Sequence, residues 1–218
     1  GLKRPEGLAA MLEVLVKPDA GRYSVDQFRL LARWLESLAR ESLTLDKIAR
    51  GKPAIGATVA KVESMLDAAR AVALNGQSAV VLRTASLQLL GKQPDRRTAD
   101  LATLAGLLNP LNSSEIQRAA ATVMIRGWKV GAMSELNAHW AALLPGLRQS
   151  VIDELLSQMT TIGALLQAIE SGRISVADLN ASQRQRLLKH KDAALRKRAA
   201  GALKVAGNAD RRKVVEQY

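Results

Sequence analysis

The segment Ser113–Ile125, SSEIQRAAATVMI, decides the fold. Its residues Ile116, Ala120 and Met124 stand four apart, so they share one face of a helix. An alanine in mid-helix lets a neighbouring backbone come close, and the larger residues one turn to either side fill the flanks. The same stepping returns as Val81–Ala85–Leu89, Val151–Leu155–Met159 and Leu195–Ala199–Leu203, at first-position intervals of 35, 35 and 44.

The helices ahead of these keep the same beat. Leu31, Leu66, Leu101 and Leu136 lie 35 apart, and so do Leu38, Ala73, Leu108 and Leu143. A helix pair recurring every ~35–45 residues is the signature of an α-solenoid, an α-α superhelix in which each pair buries its apolar stripe against its neighbours. The expectation is an all-α chain of five or six such pairs forming one domain over residues 1–218, with PEGLAAMLEVLV (5–16) in the first pair.

The rest of the chain agrees with a helical reading. DQFRLLARWLESLA (26–39), ATVAKVESMLDAARAVAL (57–74), ADLATLAGLLNP (99–110), SELNAHWAALLPG (134–146) and RQSVIDELLSQM (148–159) carry apolar residues at steps of three and four. Turn signals separate them: NGQS, GKQPD, NPLNSS, RGWKVG and LPG. No segment alternates with period two, and ten to twelve short helices are expected. Aromatics are 3% of a chain that is 48% hydrophobic, so the core is aliphatic, which suits close helix packing better than a sheet sandwich. The longer last interval is explained by an insert at about 170–182, in ESGRISVADLNASQ. There Gly172 ends one helix, and Ser175 or Asn180 caps the next.

Composition narrows the chemistry. With no cysteine there is no disulfide, thiolate zinc site or cysteine-attached haem within these residues, and two histidines make a histidine metal cluster improbable on residue supply. No apolar run reaches the ~18–20 residues of a membrane span, and GLKRPEGLAAML lacks a signal-peptide core. The net charge of +12 is uneven. Residues 172–218 hold twelve Lys/Arg against four Asp/Glu, a net of +8, which leaves +4 for the first 171. A basic end of this kind can attract nucleic acid, acidic lipid or an acidic protein face, but a solvated helix face is the first expectation.

Trp34 and Trp140 fall beside core leucines and are expected to pack, whereas Trp128 in RGWKVG is expected exposed and is a candidate partner contact. His139 falls in line with Leu104 and Ala69, so a partly buried structural histidine is expected, and His190 between Lys189 and Lys191 is expected in solvent. Asp46, Asp67, Asp100, Asp153 and Glu154 make no acid/base pair and read as surface charges. Neither a phosphate-binding glycine loop nor a nucleophile elbow is present, so the chain is expected to be non-catalytic. The candidate contact residues beside Trp128 are Arg184, Arg186, Lys189, Lys191, Arg196, Lys197 and Lys204. On a 3.6-residue helix Leu195, Ala199 and Leu203 face inward, and Arg196, Lys197 and Lys204 face out. No aromatic stands among these cations to stack on bases.

The repeat resembles the HEAT family, whose second helix reads as valine or leucine, arginine, two variable residues and alanine; ALRKRAAGAL (194–203) and VVLRTASLQLL (80–90) come closest. A more specific likeness covers roughly residues 160–218. There ALLQAIESGRISVADLNASQRQRLLKHKDAALRKRAAGAL and DRRKVVEQY resemble the planctomycete-type (PVC-type) haem-binding proteins, called putative membrane-bound dehydrogenases. The matching positions are Leu165, Ile169, Gly172, Ile174, Leu179, Leu187, Leu188, His190, Asp192, Arg196 and Ala199, then Arg211, Val215 and Tyr218. That family joins a β-propeller, a HEAT-like middle and a cytochrome c domain with a CxxCH motif. The resemblance implies that this chain is the middle part. No cofactor is expected in the chain itself; haem c would sit on a separate domain of an exported or periplasmic parent, and His190 would be a turn residue and no haem ligand. The expected partners are neighbouring domains of the same polypeptide or another protein, and the expected role is a spacer or docking module between a dehydrogenase-like propeller and the cytochrome domain. The alternative is a basic HEAT-like nucleic-acid-binding protein of the DNA glycosylase type.

Overall fold

Ser24 opens a helix in the way the sequence invites. Its hydroxyl accepts from the Gln27 amide and the Gln27 side chain accepts from the Ser24 amide, a capping box that starts α2 (Val25–Arg40). Phe28, Leu31, Ala32, Leu35 and Leu38 then line one face and are buried. The same logic runs through the computed structural model, which describes residues 5–50 and 53–216, with side chains described over 10–50 and 55–204. The chain is all-α: among the described residues there is no strand. It divides into two compact units, residues 1–100 and 101–218.

In the first unit α1 (Pro5–Leu15), α2, α3 (Leu45–Ala49), α4 (Pro53–Leu74) and α5 (Val80–Leu87) follow in order. Helix α1 packs on α4 and α2 packs on α5, while α4 and α5 pair with each other. The core that results is aliphatic around Phe28: Val16, Leu31, Leu38, Val62, Met65, Leu66, Ala69 and Leu89 are each 2% exposed or less. Leu31 of α2 and Leu66 of α4, 35 residues apart, share this core, while α2 lies against α5.

In the second unit α6 (Arg97–Gly106, begun within the first) leads to α7 (Ser114–Trp128), α8 (Met133–His139), α9 (Pro145–Ser157), α10 (Met159–Glu170), α11 (Ala181–Leu188) and α12 (Ala193–Glu216). Short 3-10 turns occupy Lys129–Ala132, Trp140–Ala142 and Val176–Asp178. Helix α7 packs on α9, α9 on α10, and α12 on both α10 and α11. The helix end and caps between residues 170 and 182 are as expected. Gly172 at φ +70° ends α10, with the Arg173 and Gly172 amides returning to the Ala168 and Ile169 carbonyls. Ser175 caps the 3-10 turn and Asn180 caps α11.

The stripes are partly as read. Ile116, Ala120 and Met124 are all 0% exposed, and Leu38, Ala73, Leu108 and Leu143 are all buried. Val81 is 50% exposed, however, because Leu82 turns inward in its place, and Met159 is 50% exposed because α9 has already ended at Ser157. In α12 Ala199 is fully buried and its flanks Leu195 and Leu203 are half-buried.

A second regularity was not visible in the hydrophobic pattern. The last carbonyls of a helix have no partner within it. Here a long polar side chain on the following helix returns to them. Gln27 donates to the Leu15 and Lys17 carbonyls at 2.9 and 2.8 Å; Arg83 to Ala73 at 3.0 Å; Gln117 to Leu108 and Asn109 at 3.2 and 2.8 Å. Arg148 donates to Trp140, Ala141 and Leu143 at 3.0–3.2 Å. Arg196 donates to His190, just past α11, at 2.7 Å. Arg83 and Arg196 are thus clamps on the preceding helix end, where a cation also suits the helix dipole.

Three non-glycines among the described residues have positive φ: Ala20, Ser42 and Lys129. Lys129 has φ +52° and ψ −120°, a region glycine enters freely and a side chain resists. Lys129→Gly is expected to raise stability by about 1 kcal/mol, read as a higher urea midpoint at unchanged slope.

Candidate interaction surface

The basic end of the chain is organised by α9, α10, α11 and the start of α12. Asn180 and Gln183 form the capping box of α11. Gln183 is buried and its side chain donates to the Gln149 carbonyl at 3.0 Å, and Asn180 Nδ2 donates to Gln149 Oε1 at 2.7 Å, which pins α11 to α9. Behind them lies a polar knot. Asp178 accepts from Trp140 Nε1 and Arg148 Nη1, each at 2.9 Å, and Gln149 donates to the Asp178 carbonyl. The Arg148 guanidinium stands 6.0 Å from the Trp140 ring.

With α11 fixed in this way, Leu187 turns inward and Arg186, Lys189 and Lys191 are left around an open-sided groove of about 540 Å³. Its floor is Leu156, Ile162 and Leu187; Ser182, Gln185 and the half-buried His190 complete the lining. His190 Nδ1 accepts from the Asp192 amide at 3.1 Å. Asp192 accepts in turn from the Leu195 amide at 3.0 Å at the start of α12, and that hydrogen bond first of all holds its carboxyl below the usual range. Its charge is therefore committed to the helix terminus.

The eight candidate contacts fare differently. Arg186, Lys189 and Lys191 come together at the groove. Lys197 and Lys204 are exposed on α12, outside the groove lining. Arg196 is exposed but spends one guanidinium nitrogen on the His190 carbonyl, and Arg184, half-buried, donates to the Val176 carbonyl at 3.1 Å. Trp128 corrects an expectation. It ends α7, because RGW continues the helix, and it is half-buried instead of exposed. Trp34 is half-buried against the first core and Trp140 is 5% exposed, though on a 3-10 turn beyond α8. His139 is half-buried, and its Nδ1–H donates to the Glu135 carbonyl at 2.9 Å. His190 is half-buried where solvent was expected on all sides, since its ring folds back on the Asp192 amide.

Two acids expected on the surface are withdrawn from it, one buried and one half-buried. Asp100, read as a surface charge, is 1% exposed and accepts from Arg70 Nε at 2.6 Å and from the Gly91 amide at 2.6 Å. Glu154 is 14% exposed under a two-pronged contact from Arg126, at 2.8 and 3.2 Å. No local signal marks either; each depends on an arginine 28 or 30 residues away.

Glu170 and Arg198 make a further two-pronged pair, at 2.8 and 2.7 Å, between α10 and α12. The Arg198 hydrogen bond lowers the Glu170 carboxyl from its ordinary value of 4.5. A lowered acid contributes stability above its unfolded value and loses it as pH falls through the folded one. Both side chains are more than a third exposed, so solvent holds the contribution to a few tenths of a kcal/mol. Glu170→Gln is therefore expected to be slightly less stable than the parent at pH 7. The gap between their urea midpoints should close as the pH falls below the ordinary carboxylate range.

Among the described residues no group of three or more His, Asp or Glu side chains is placed to hold a metal, and no helix is long and apolar enough to cross a membrane. The matched positions of the C-terminal third have packing or backbone roles: Leu165, Ile169, Ile174, Leu179 and Leu187 are 1% exposed or less, while Leu188 is 37% exposed. Arg211 and Val215 lie beyond the described side chains and Tyr218 beyond the described residues. Comparison with known protein families, with curated proteins and with solved structures finds no match to this chain.

Proposed function

We propose that this chain is a non-catalytic α-solenoid interaction module, a spacer or docking element between a dehydrogenase-like propeller and a cytochrome c domain of a larger, exported protein. The observation that carries the solenoid part is the layering within each unit. Helix α1 lies on α4 and α2 on α5, then α7 on α9, and clamp residues recur on helix after helix. Stacked pairs that bury an apolar stripe against the next pair behave in this way. The docking part is supported by the cationic groove of the last helices. Its lining includes no Phe, Tyr or Trp on which the bases of a single strand could stack.

The test is the reading frame past Tyr218. A CxxCH codon pattern within a few tens of residues is the expected result; a stop codon there overturns the family reading. Haem c then belongs to that downstream domain.

A further inference from the structure

We infer that Asn75 is a self-modifying site: the Asn75–Gly76 step in the turn between α4 and α5 closes to a succinimide and opens to aspartate and isoaspartate. The inference is independent of the interaction-module reading. Asn75 is the one asparagine of the chain that a glycine follows, and both residues are exposed. Ring closure brings the Gly76 nitrogen onto the Asn75 Cγ, an approach that a side chain on the following residue would crowd. The folded turn supplies the rest. The Gly76 amide donates no hydrogen bond to any described residue, so its proton is open to hydroxide. Asn75 Oδ1 accepts from the Gln77 amide at 2.9 Å, which folds the side chain back over the Gly76 backbone. The same N–H stands where negative charge gathers on Oδ1 as the nitrogen adds.

Water is the only co-reactant. Hydroxide takes the Gly76 amide proton, the nitrogen bonds to Cγ, and the Cγ–Nδ2 bond breaks with loss of ammonia. Water then opens the ring. Breaking the bond from nitrogen to Cγ leaves aspartate; breaking the bond to the Asn75 main-chain carbonyl carbon leaves isoaspartate, with Cβ and Cγ now in the main chain. Aspartate keeps an oxygen for the Gln77 amide. Isoaspartate takes the Asn75 carbonyl out of the main chain, and that carbonyl accepts from the Ser78 amide at 3.0 Å to close the turn. Helix α5 begins just beyond, at an Ala79 that offers no side-chain cap. Asn109 gives the contrast within the chain. Its Oδ1 accepts from the Leu111 amide at 2.9 Å in the same fold-back, but Pro110 follows and has no N–H to lose.

The native full chain, held at mildly alkaline pH and then digested with trypsin, tests this. The fragment Ala71–Arg83 contains Asn75 and no other asparagine. It is expected to gain about 1 Da and to elute as two new species of equal mass, aspartate and isoaspartate, while Asn109 stays unchanged. Gly76→Ala is expected to convert roughly tenfold more slowly. That variant is compatible with the fold, since no atom lies within 4 Å of the added methyl and the φ of Gly76 is not positive. Equal rates in the parent and Gly76→Ala overturn the inference, as does conversion of Asn109 as fast as Asn75. A native chain whose Asn75 converts less than about a tenth as fast as in guanidinium chloride also overturns it, because the turn then shields the site and reaction waits on opening. The parent chain compared with itself in denaturant needs no variant, so a misfolded mutant does not spoil the test.

Discussion

Arg148→Met is expected to destabilise residues 101–218 by about 3–4 kcal/mol, seen as a lower urea midpoint and melting temperature. One guanidinium here donates to the Trp140, Ala141 and Leu143 carbonyls and to Asp178, with the two charged side chains only 24 and 15% exposed. Methionine keeps most of the hydrophobic stem but none of the donors. Three carbonyls lose a partner, and Asp178 keeps only the Trp140 indole and the Ser175 amide on its carboxylate. Arg148→Lys is expected to recover less than half of the loss, because a single ammonium reaches the carboxylate or the carbonyls but lacks the planar fork that serves both. A cost below about 1 kcal/mol for Arg148→Met would mean that water replaces the clamp at no penalty.

That clamp marks the boundary of what the chain's pattern discloses. Hydrophobic spacing depends on a helix presenting the same face every turn, so Ile116–Ala120–Met124 and the buried series Leu38, Ala73, Leu108 and Leu143 are legible from local sequence. So are the caps at Ser24, Ser175 and Asn180 and the left-handed Gly172, since each works within a few residues. Helix-to-helix neighbours are another matter. Leu31 and Leu66 share one core, and that α2 packs on α5 follows from fit over whole faces, which no interval states.

At the interaction surface the charges were legible and their commitments were not. The sequence shows that Arg184, Arg186, Arg196 and Lys189 are close along the chain. Only the folded backbone shows that Val176 and His190 turn carbonyls toward Arg184 and Arg196, leaving Lys189 and Lys191 unengaged among the described residues. Trp128 was misread for a related reason. Gly127 suggested a turn, yet Gly is tolerated in the last turn of a helix whose face is otherwise secured by Met124 and Ile125.

Asp100→Ala is expected to carry the largest single cost in the chain, about 3–5 kcal/mol. The carboxylate is 1% exposed; it holds the Arg70 guanidinium at 2.6 and 3.1 Å and the amide of Gly91 at 2.6 Å, where φ is +77°. Removing it strands a cation that is only 15% exposed and that retains Asp67 and Gln93 as partners, and it frees the turn that Gly91 closes. Asp100→Asn is expected to fall between the two, since its oxygen still accepts one of these hydrogen bonds while the charge is lost. The double variant Arg70→Met/Asp100→Leu separates the pair from its surroundings. If the ion pair itself supplied the stability, the double variant would be as weak as the worse single one. Desolvation of both ions offsets most of their attraction, however, so an apolar pair of similar size is expected to recover most of the loss. The remainder, about 1–2 kcal/mol, is the Gly91 amide left without its acceptor. On that account Asp100 matters less as a charge than as the acceptor that joins the α5–α6 turn to α4, a task that a surface carboxylate at the same place in the sequence would leave undone.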